Sequence, residues 1–455
     1  MFIDKAIAEF LRHRLEIDFP SMEFVQQAAV SPTVYRGPGN LRQHADNRIE
    51  LTCYADTPDD DRGLEGFLDK LSTTPKSMLV DESEYYQTTA NQFGSATWIS
   101  GQTQISTSSG LSHAKTIVRS SPYMLKQTTD KVSPRFGLRM WFSQQRSRHW
   151  MALVGEHQLA NDADSGIDYA FSLKVEEEGD ECILVSMMSS VAFPPDFKLR
   201  ILETLRFVCA LPLHPSVVDE FGNGVRTVEL WPAGLSPDSH VPSAPLRMNG
   251  QFATSDVLRL FELFLRYVLK EGIPDLVHLS SVQLDHMRQN QKNSVGAQAI
   301  ATSVAAEGIA NLHPAPTRTD KEAAELTACG QQLVEALSSG SWSDQVRARV
   351  KGFSTNLKEV RAIDRMHALA ATGHVLEEDI DAWKYLRNKW VHAAPTNLNE
   401  HRRNAMEANI NGLQSVTRLI YCMIFSLIGF EGPFTDCANP KFPERAYPFT
   451  PPKAT

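Results

Sequence analysis

The stretch SDVLRLFELFLRYVLKEG, residues 255–272, marks the point at which the chain changes from strands to helices. Its apolar residues recur every three or four positions and its charged residues fall on one stripe, which is the pattern of an amphipathic helix. Ser255 is a helix-capping residue type, and Gly272 is a helix-terminating one. The proline-rich connector PAGLSPDSHVPSAP, residues 232–245, precedes this stretch and indicates a domain boundary.

Upstream of the connector, residues 1 to about 235 mix β-branched and aromatic residues with partial period-two alternation, which predicts strands. Segments such as RIELTCYAD and RFGLRMWFS carry this pattern, and turn-rich pieces such as YRGPGN separate them. One helix is predicted among the strands, at about 195–210, and GNG at 222–224 is predicted to be a turn. Three tryptophans of this half are predicted to lie in the core: Trp98, Trp141 and Trp150.

Downstream of residue 272 the apolar period remains that of helices, and the last predicted helix has capping-box spacing at Asn397 and Glu400. The further predicted helices span 294–312, about 322–338, 343–370, 377–393 and about 398–428. The tail from 431 on holds six of the 25 prolines and is predicted to be an extended strap. The predicted fold class is therefore α+β multidomain, with a β-rich N-terminal domain (1–245) followed by an all-α helical bundle (246–455).

The composition, with 42% hydrophobic and 22% charged residues, is that of a globular protein. A net charge of −9 argues against wholesale electrostatic capture of nucleic acid. The charge is unevenly distributed, because residues 296–455 hold 17 basic and 17 acidic residues, whereas residues 1–295 hold 28 and 37. A polyanion would therefore meet the C-terminal part more easily.

The six cysteines are scattered without a CxxC pair, which indicates a reducing compartment. Charges within the first nine residues interrupt any signal-peptide core, and the most apolar run, at 419–430, is too short to span a bilayer. We therefore expect a cytoplasmic protein with no membrane partner. The sequence has no Walker-type loop, no HExxH and no metal-spaced His/Cys cluster, so neither a metal nor a cofactor is expected.

The segment DAWKYLRNKWVHAAP, residues 381–395, contains the candidate site. Its helix places acidic residues first and basic residues last, in agreement with the helix dipole. Apolar residues at helical spacing form a predicted buried stripe: Ile380, Trp383, Leu386 and Trp390. At about 100° per residue, Arg387 lies at the border of this stripe, whereas Asn388 and His392 are four positions apart and share another face.

An arginine followed four to six residues later by histidine, often with asparagine directly after the arginine, resembles the signature of HEPN-domain ribonucleases. RNKWVH matches it at Arg387, Asn388 and His392, and roughly residues 250–430 resemble the ApeA-like branch associated with anti-phage defence. Arg361 and His367 also have the broad spacing, but they lack the asparagine. The resemblance implies a metal-independent RNA endonuclease of abortive infection, with Arg387, Asn388 and His392 as catalytic residues.

These residue types suit the chemistry of metal-independent RNA cleavage. Cleavage by 2′-hydroxyl attack needs proton transfers, for which histidine is suited, and a stabilised phosphorane, for which the planar arginine fork is suited. One histidine cannot easily act as base and acid at once, and the resemblance implies a homodimer in which two copies share a cleft. The RNA, a tRNA or an mRNA, is predicted to contact the neighbouring basic residues Lys384, Lys389, Arg402 and Arg403.

Several alternatives remain open at this point. The helical domain could be a non-catalytic HEPN-like module that dimerises or binds a nucleotide, with Arg387 and His392 in structural roles. It could also be a toxin neutralised by a separately encoded partner. Glu307 lies in the alanine-rich helix, where some HEPN ribonucleases carry an acidic residue, but it is predicted to be a simple surface glutamate. The β-rich half is predicted to sense a phage-derived trigger or to restrain the nuclease.

Overall fold

The computed structural model describes residues 2–27, 32–56, 82–93, 96–109, 115–130, 133–143, 150–160, 170–179, 182–232, 244–248, 253–290, 293–357, 359–391 and 402–450. The chain divides into two compact units. One comprises Met1–Lys198 with Leu213–Asp238, and the other comprises Leu199–Pro212 with Ser239–Thr455. A large antiparallel sheet in the N-terminal half and helices in the C-terminal half agree with the predicted α+β class.

The first unit contains helix α1 (Phe2–Leu11) and an antiparallel sheet with fourteen described strands. In chain order, β1 to β14 span Glu16–Gln26, Val34–Gln43, Ile49–Asp56, Tyr86–Asn91, Thr97–Ser100, Ile105–Ser109, Lys115–Ser120, Leu125–Asp130, Phe136–Ser143, Gly155–Ala160, Ala170–Glu177, Cys182–Ser189, Val217–Gly222 and Val225–Leu230. Across the sheet the order is β10-β11-β12-β9-β13-β14-β8-β5-β4-β1-β2-β3-β7-β6.

Local sequence accounts for much of this sheet. In β12 every second residue is buried, because successive side chains of a strand point to opposite faces. Strands β13 and β14 are joined at Asn223 and Gly224, whose φ angles of 50° and 79° suit a two-residue hairpin turn. The turn predicted at GNG is thereby confirmed.

Helix α1 was not predicted. Its apolar residues Ile3, Ile7 and Phe10 follow helical spacing and are buried in the same core as Trp98. The interpretation of this stretch as part of a strand-and-loop region was therefore wrong. The prediction that Trp98, Trp141 and Trp150 belong to the core is confirmed, since each is buried.

The second unit is helical. Its helices are α2 (Phe197–Cys209, from Leu199 onward), α3 (Ala253–Glu271), α4 (Leu279–Gln289), α5 (Val295–Leu312), α6 (Asp320–Ser339), α7 (Asp344–Asn356), α8 (Ala362–Ala371), α9 (Glu377–Leu386) and α10 (Arg402–Ile428). Helix α10 is central, with Leu419, Ile420, Met423 and Ile424 fully buried. No helix in the described part of the chain is long and apolar enough to cross a membrane.

Three details differ from the predicted helices. Helix α4 was not predicted, and the single helix predicted at 343–370 is two helices. The second of these, α8, begins at Arg361, whose backbone N–H donates to the Asp364 carboxylate. The tail is not a simple strap, because Gly432–Thr435 (β15) and Glu444–Tyr447 (β16) pair as a hairpin. The capping box predicted at Asn397 and Glu400 lies outside the described residues.

Candidate functional site

Helix α9 is held by its apolar face. Ile380, Trp383 and Leu386 are buried, which confirms most of the predicted stripe. The Trp383 indole N–H donates to the carbonyl oxygen of Ser303 on α5 at 3.0 Å. Leu386 packs beside Gly412 of α10, where a Cβ would already be 3.3 Å from its side chain. Helix α9 is therefore fixed between α5 and α10.

A buried ion-pair network anchors the first turn of α9. The Arg418 guanidinium on α10 donates to both carboxylate oxygens of Asp379, at 2.9 and 2.7 Å, and to Asp436 at 2.8 Å. Burial raises the pKa of Asp379 to about 6, although the hydrogen bonds from Arg418 act in the opposite direction. Asp379 is thus a structural anchor, a role that its position among the early acidic residues of the helix did not reveal.

Directly after α9, Arg387–Val391 form a π-helical turn, where the sequence predicted a regular helix. Such turns are rare and are frequent at functional sites. The turn brings Trp390 against Gly296 of α5, where a Cβ would lie 2.6 Å from the indole ring. Glycine at position 296 therefore permits this close approach.

Arg387 is held from two sides. Its Nε donates to Oε2 of Glu307 on α5 at 3.0 Å, and its guanidinium carbon lies 5.6 Å from the centre of the Trp383 ring. The side chain nevertheless remains 32% exposed. The expected position of Arg387 at the border of the buried stripe is confirmed. Glu307 lies at the surface as predicted, with its side chain 38% exposed, and it also pairs with Arg387.

Asn388 follows Arg387 in the π turn and is exposed. The two nearby lysines have partners on the same helical surface. Lys389 donates to the Tyr385 hydroxyl at 2.8 Å, and Lys384 pairs with Asp381 at 3.2 Å. Such exposed i,i+3 and i,i+4 pairs are weak and exchange readily with solvent or another partner.

His392 lies outside the described residues, and so do the side chains of Arg402 and Arg403, although both form the start of helix α10. The described site therefore consists of Arg387 and Asn388 on one turn, with Glu307 and Trp383 positioning the arginine.

The second Arg–His pair has different surroundings. Arg361 caps α8 through Asp364, and the Nδ1 atom of His367 lies 2.9 Å from the carboxylate of Glu377. Neither residue lies on a π turn. Arg361 and His367 are therefore useful comparison residues for the motif.

The sequence did not predict that Glu307 pairs with Arg387. The glutamate lies 80 positions before Arg387, so no local spacing connects the two. Glu307 lies four residues after Ser303 on α5, whose carbonyl oxygen accepts from the tryptophan that lies under the arginine. Within the described ranges, no group of three or more His, Cys, Asp or Glu side chains could hold a metal ion.

No protein-family model, no curated protein and no solved structure matches this chain.

Proposed function

We propose that this protein is a metal-independent HEPN-type endoribonuclease of the cytoplasm that acts in anti-phage defence by abortive infection. The observation that carries the proposal is the setting of Arg387. This arginine lies on a π-helical turn directly before Asn388, is oriented by Glu307 and Trp383, and has a side chain that is 32% exposed. An oriented but accessible guanidinium is suited to a phosphate ligand.

In the proposed reaction, the ribose 2′-oxygen attacks the adjacent phosphorus, and the bond from phosphorus to the 5′-oxygen breaks. The products are a 2′,3′-cyclic phosphate and a free 5′-hydroxyl. His392 accepts the proton of the 2′-hydroxyl, and His392 of a second subunit protonates the departing 5′-oxygen. The homodimer supplies the two histidines that the two proton transfers need.

Arg387 acts on the charge that develops on the phosphorane. A guanidinium has five N–H donors, so the bond from its Nε to Glu307 is compatible with hydrogen bonds to phosphate oxygens. Glu307 and Trp383 are positioning residues, since they act through Arg387. Asn388 orients either His392 or the scissile phosphate.

The RNA backbone runs over the basic residues around the motif: Lys384, Lys389, Arg402 and Arg403. The weak exposed pairs made by Lys384 and Lys389 can be exchanged for phosphate contacts at small cost. The β-rich unit, a separate compact part of the chain, senses a phage-derived trigger or restrains the nuclease.

The experiment is cleavage of total RNA by the purified protein in EDTA, with analysis of the fragment ends. His392→Ala is expected to lower the rate at least about 100-fold, because a positioned proton-transfer group contributes that much. Arg387→Ala is expected to lower the rate to a similar extent, because removing a preorganised donor to a developing negative charge costs about 100-fold or more. Arg361→Ala and His367→Ala provide matched controls on the second pair and should cut at the parental rate. Parental cleavage by His392→Ala would refute the proposed role of the histidine.

A non-catalytic module is the second candidate, and one observation favours it. Arg387, Lys384 and Lys389 all have partners within the protein, as residues with structural roles would. In that case the RNA pool stays intact, and Arg387→Ala alters thermal stability or nucleotide binding instead. A toxin with a separate neutralising partner would be toxic on overexpression without phage, and Arg387→Ala would abolish that toxicity.

A further inference from the structure

Helix α4 carries buried polar side chains on one of its faces. Ser281, Asp285 and Arg288 follow one another at intervals of four and three residues, so they lie on the same face. Ser281 and Arg288 are only 5% and 6% exposed. A buried polar group is normally hydrogen-bonded, because leaving it without a partner costs free energy. The partners of these side chains therefore show what the face is built to hold.

Arg288 uses only one edge of its guanidinium within the protein. Its Nη1 donates to Oδ1 of Asp285 at 3.3 Å, which is long for a hydrogen bond between charged groups. Within the part of the chain that the structure describes, the buried Nε and Nη2 atoms have no hydrogen-bond partner. These two nitrogens share one edge of the guanidinium, and their N–H bonds form the fork that holds two oxygens of a carboxylate or a phosphate. Arg288 therefore presents an unused bidentate donor.

Ser281 adds a third donor on the same face. Its hydroxyl is buried and also has no hydrogen-bond partner among the described residues. Long side chains of a helix lean towards its N-terminus, so the guanidinium of Arg288 extends in the direction of Ser281. A single acceptor with several oxygens would satisfy the fork and the hydroxyl together.

The charge of the surrounding cluster is unbalanced. Arg206 on α2 lies 3.7 Å from Oδ2 of Asp285, so two guanidiniums share this carboxylate. With Arg200 and Glu203, which pair with each other, the described cluster holds three guanidiniums and two carboxylates. Burial lowers the pKa of Arg206, and the charge of Arg288 acts in the same direction, whereas Asp285 opposes it. One buried positive charge is therefore left without compensation, which is unfavourable.

An oxyanion supplies what this cluster lacks. A water molecule can accept from Arg288 but brings no negative charge. A carboxylate would use both of its oxygens on the fork, whereas a phosphate has further oxygens for the Ser281 hydroxyl. The side chains of Asp285 and Arg206 are 23% and 13% exposed, so the cluster reaches the surface on their side. This limited opening suits a small ion and not a polynucleotide.

We propose that Ser281 and Arg288 form an internal binding site for a small phosphate-class oxyanion, with Arg206 contributing the second positive charge. Nε and Nη2 of Arg288 donate to two oxygens of the ion, and the Ser281 hydroxyl donates to a third. Asp285 stays on the other edge of Arg288, at Nη1. The bound ion joins α4 to α2 and stabilises the helical unit. The site is separate from Arg387 and does not rest on RNA cleavage.

Inorganic phosphate added to the full-length protein tests the site. The titration is run on the parental protein and on Arg387→Ala, which removes the arginine of the proposed nuclease site. In Arg387→Ala, calorimetry is expected to show one phosphate per chain with a Kd of about 1 mM or tighter. Phosphate at about 10 mM should raise the Tm by at least about 2 °C over sodium chloride of equal ionic strength, because it binds only the folded chain. Acetate should give a clearly smaller shift.

Two replacements of Arg288 distinguish the fork from the charge. Arg288→Lys keeps a positive charge but cannot donate in bidentate fashion, so it should weaken phosphate binding at least about tenfold. Arg288→Met removes the charge and should abolish binding. Arg349→Met is the matched control, since Arg349 is an exposed arginine on α7, and it should bind phosphate like the parental protein. Where Arg288→Met fails to fold, Arg288→Lys and the Arg387→Ala titration decide.

Four results would overturn the proposal. The absence of a phosphate-specific rise in Tm would mean that water alone satisfies Arg288. Unchanged binding in Arg288→Lys and Arg288→Met would place the ion elsewhere, and loss of binding in Arg387→Ala would place it at the motif. Acetate that binds as tightly as phosphate would exclude the phosphate class. RNA cleavage, measured separately, reports on the proposed nuclease and not on this site.

Discussion

Glu307 accepts a hydrogen bond from Nε of Arg387 at 3.0 Å and thereby joins the π turn to helix α5. The two side chains are 38% and 32% exposed, so solvent screens their attraction. The Trp383 ring holds the same guanidinium from another side. The pair therefore contributes more to the orientation of Arg387 than to the stability of the fold.

Two replacements of Glu307 should distinguish its effect on the orientation of Arg387 from the effect of its negative charge. Glu307→Gln keeps an oxygen that can accept from Nε, whereas Glu307→Ala removes it. In the proposed mechanism Arg387 acts on the scissile phosphate, and small misplacements of such a group are costly. We therefore expect kcat for RNA cleavage to fall at least about tenfold in Glu307→Ala and less than about threefold in Glu307→Gln. Single-turnover cleavage of an RNA oligonucleotide measures this effect.

The free energy of unfolding should change by less than about 1 kcal/mol in both Glu307 variants, as expected for an exposed ion pair. An equal loss of cleavage in both variants, with normal folding, would contradict the orienting role. It would show instead that the negative charge is what matters.

The contact of Gly296 with Trp390 gives a second prediction. An added methyl group at position 296 would lie 2.6 Å from the ring, so Gly296→Ala should lower the free energy of unfolding by about 1–3 kcal/mol. Gly352→Ala on α7 is the matched control, because nothing lies within 4 Å of its added Cβ. There alanine should stabilise by about 0.5–1 kcal/mol through helix propensity. Chemical denaturation of both variants tests the sign of each change.

Replacing Arg418 should lower the free energy of unfolding much more than replacing its neighbour Arg445. Arg418→Ala leaves the buried carboxylates of Asp379 and Asp436 without their main partner, which typically costs about 3–5 kcal/mol. Arg445 also contacts Asp436 but is 38% exposed, so Arg445→Ala should cost about 1 kcal/mol or less. Thermal unfolding compares the two, and similar losses would argue against Arg418 as the anchor of α9.

The buried His278 should make the folded protein less stable in acid. Its Nδ1 accepts from the backbone N–H of Ser280 and caps helix α4, and burial lowers the pKa of His278 to about 4. Between about pH 4 and 6.5, His278 binds fewer protons in the folded protein than in the unfolded chain. Its contribution to the free energy of unfolding is therefore complete above about pH 6.5. It is lost as the pH falls towards about 4, by up to about 3 kcal/mol.

His278→Asn keeps a side-chain oxygen for the cap and does not titrate. Its unfolding free energy should match the parental protein at neutral pH to within about 1 kcal/mol and decline less steeply between about pH 6.5 and 4. Urea unfolding at several pH values makes the comparison. Identical slopes for the two proteins would exclude His278 as a source of the acid sensitivity.

The parts of the fold that the sequence predicted are those with a local signal. The change of period near residue 255 separates strand-rich from helical sequence, and the spacing of Ile380, Trp383 and Leu386 predicted the buried face of α9. Helix α4 was missed because its cap is a histidine, which is not among the common capping residues, and because the helix is short and polar.

The site was predicted only in part, for a physical reason. The apolar residues around the motif fit a straight helix and a π turn equally well, so their spacing did not reveal the wide turn. The partner of Arg387 comes from α5, and contacts between distant segments leave no periodic pattern in one sequence. Arg387, Asn388 and Glu307 can each be named from the sequence, whereas the hydrogen bond between Arg387 and Glu307 required the folded arrangement.

The wide turn at Arg387–Val391 also affects how related chains should be aligned. Because a π turn holds more residues than an α-helical turn over the same contour, the gain or loss of one residue there can be absorbed locally. Helix α9, which precedes the turn, would keep its position, while the side chains after the turn would rotate by about 100° around the helix axis. The number of residues directly after Arg387 can therefore change by one without disturbing helix α9, which precedes it.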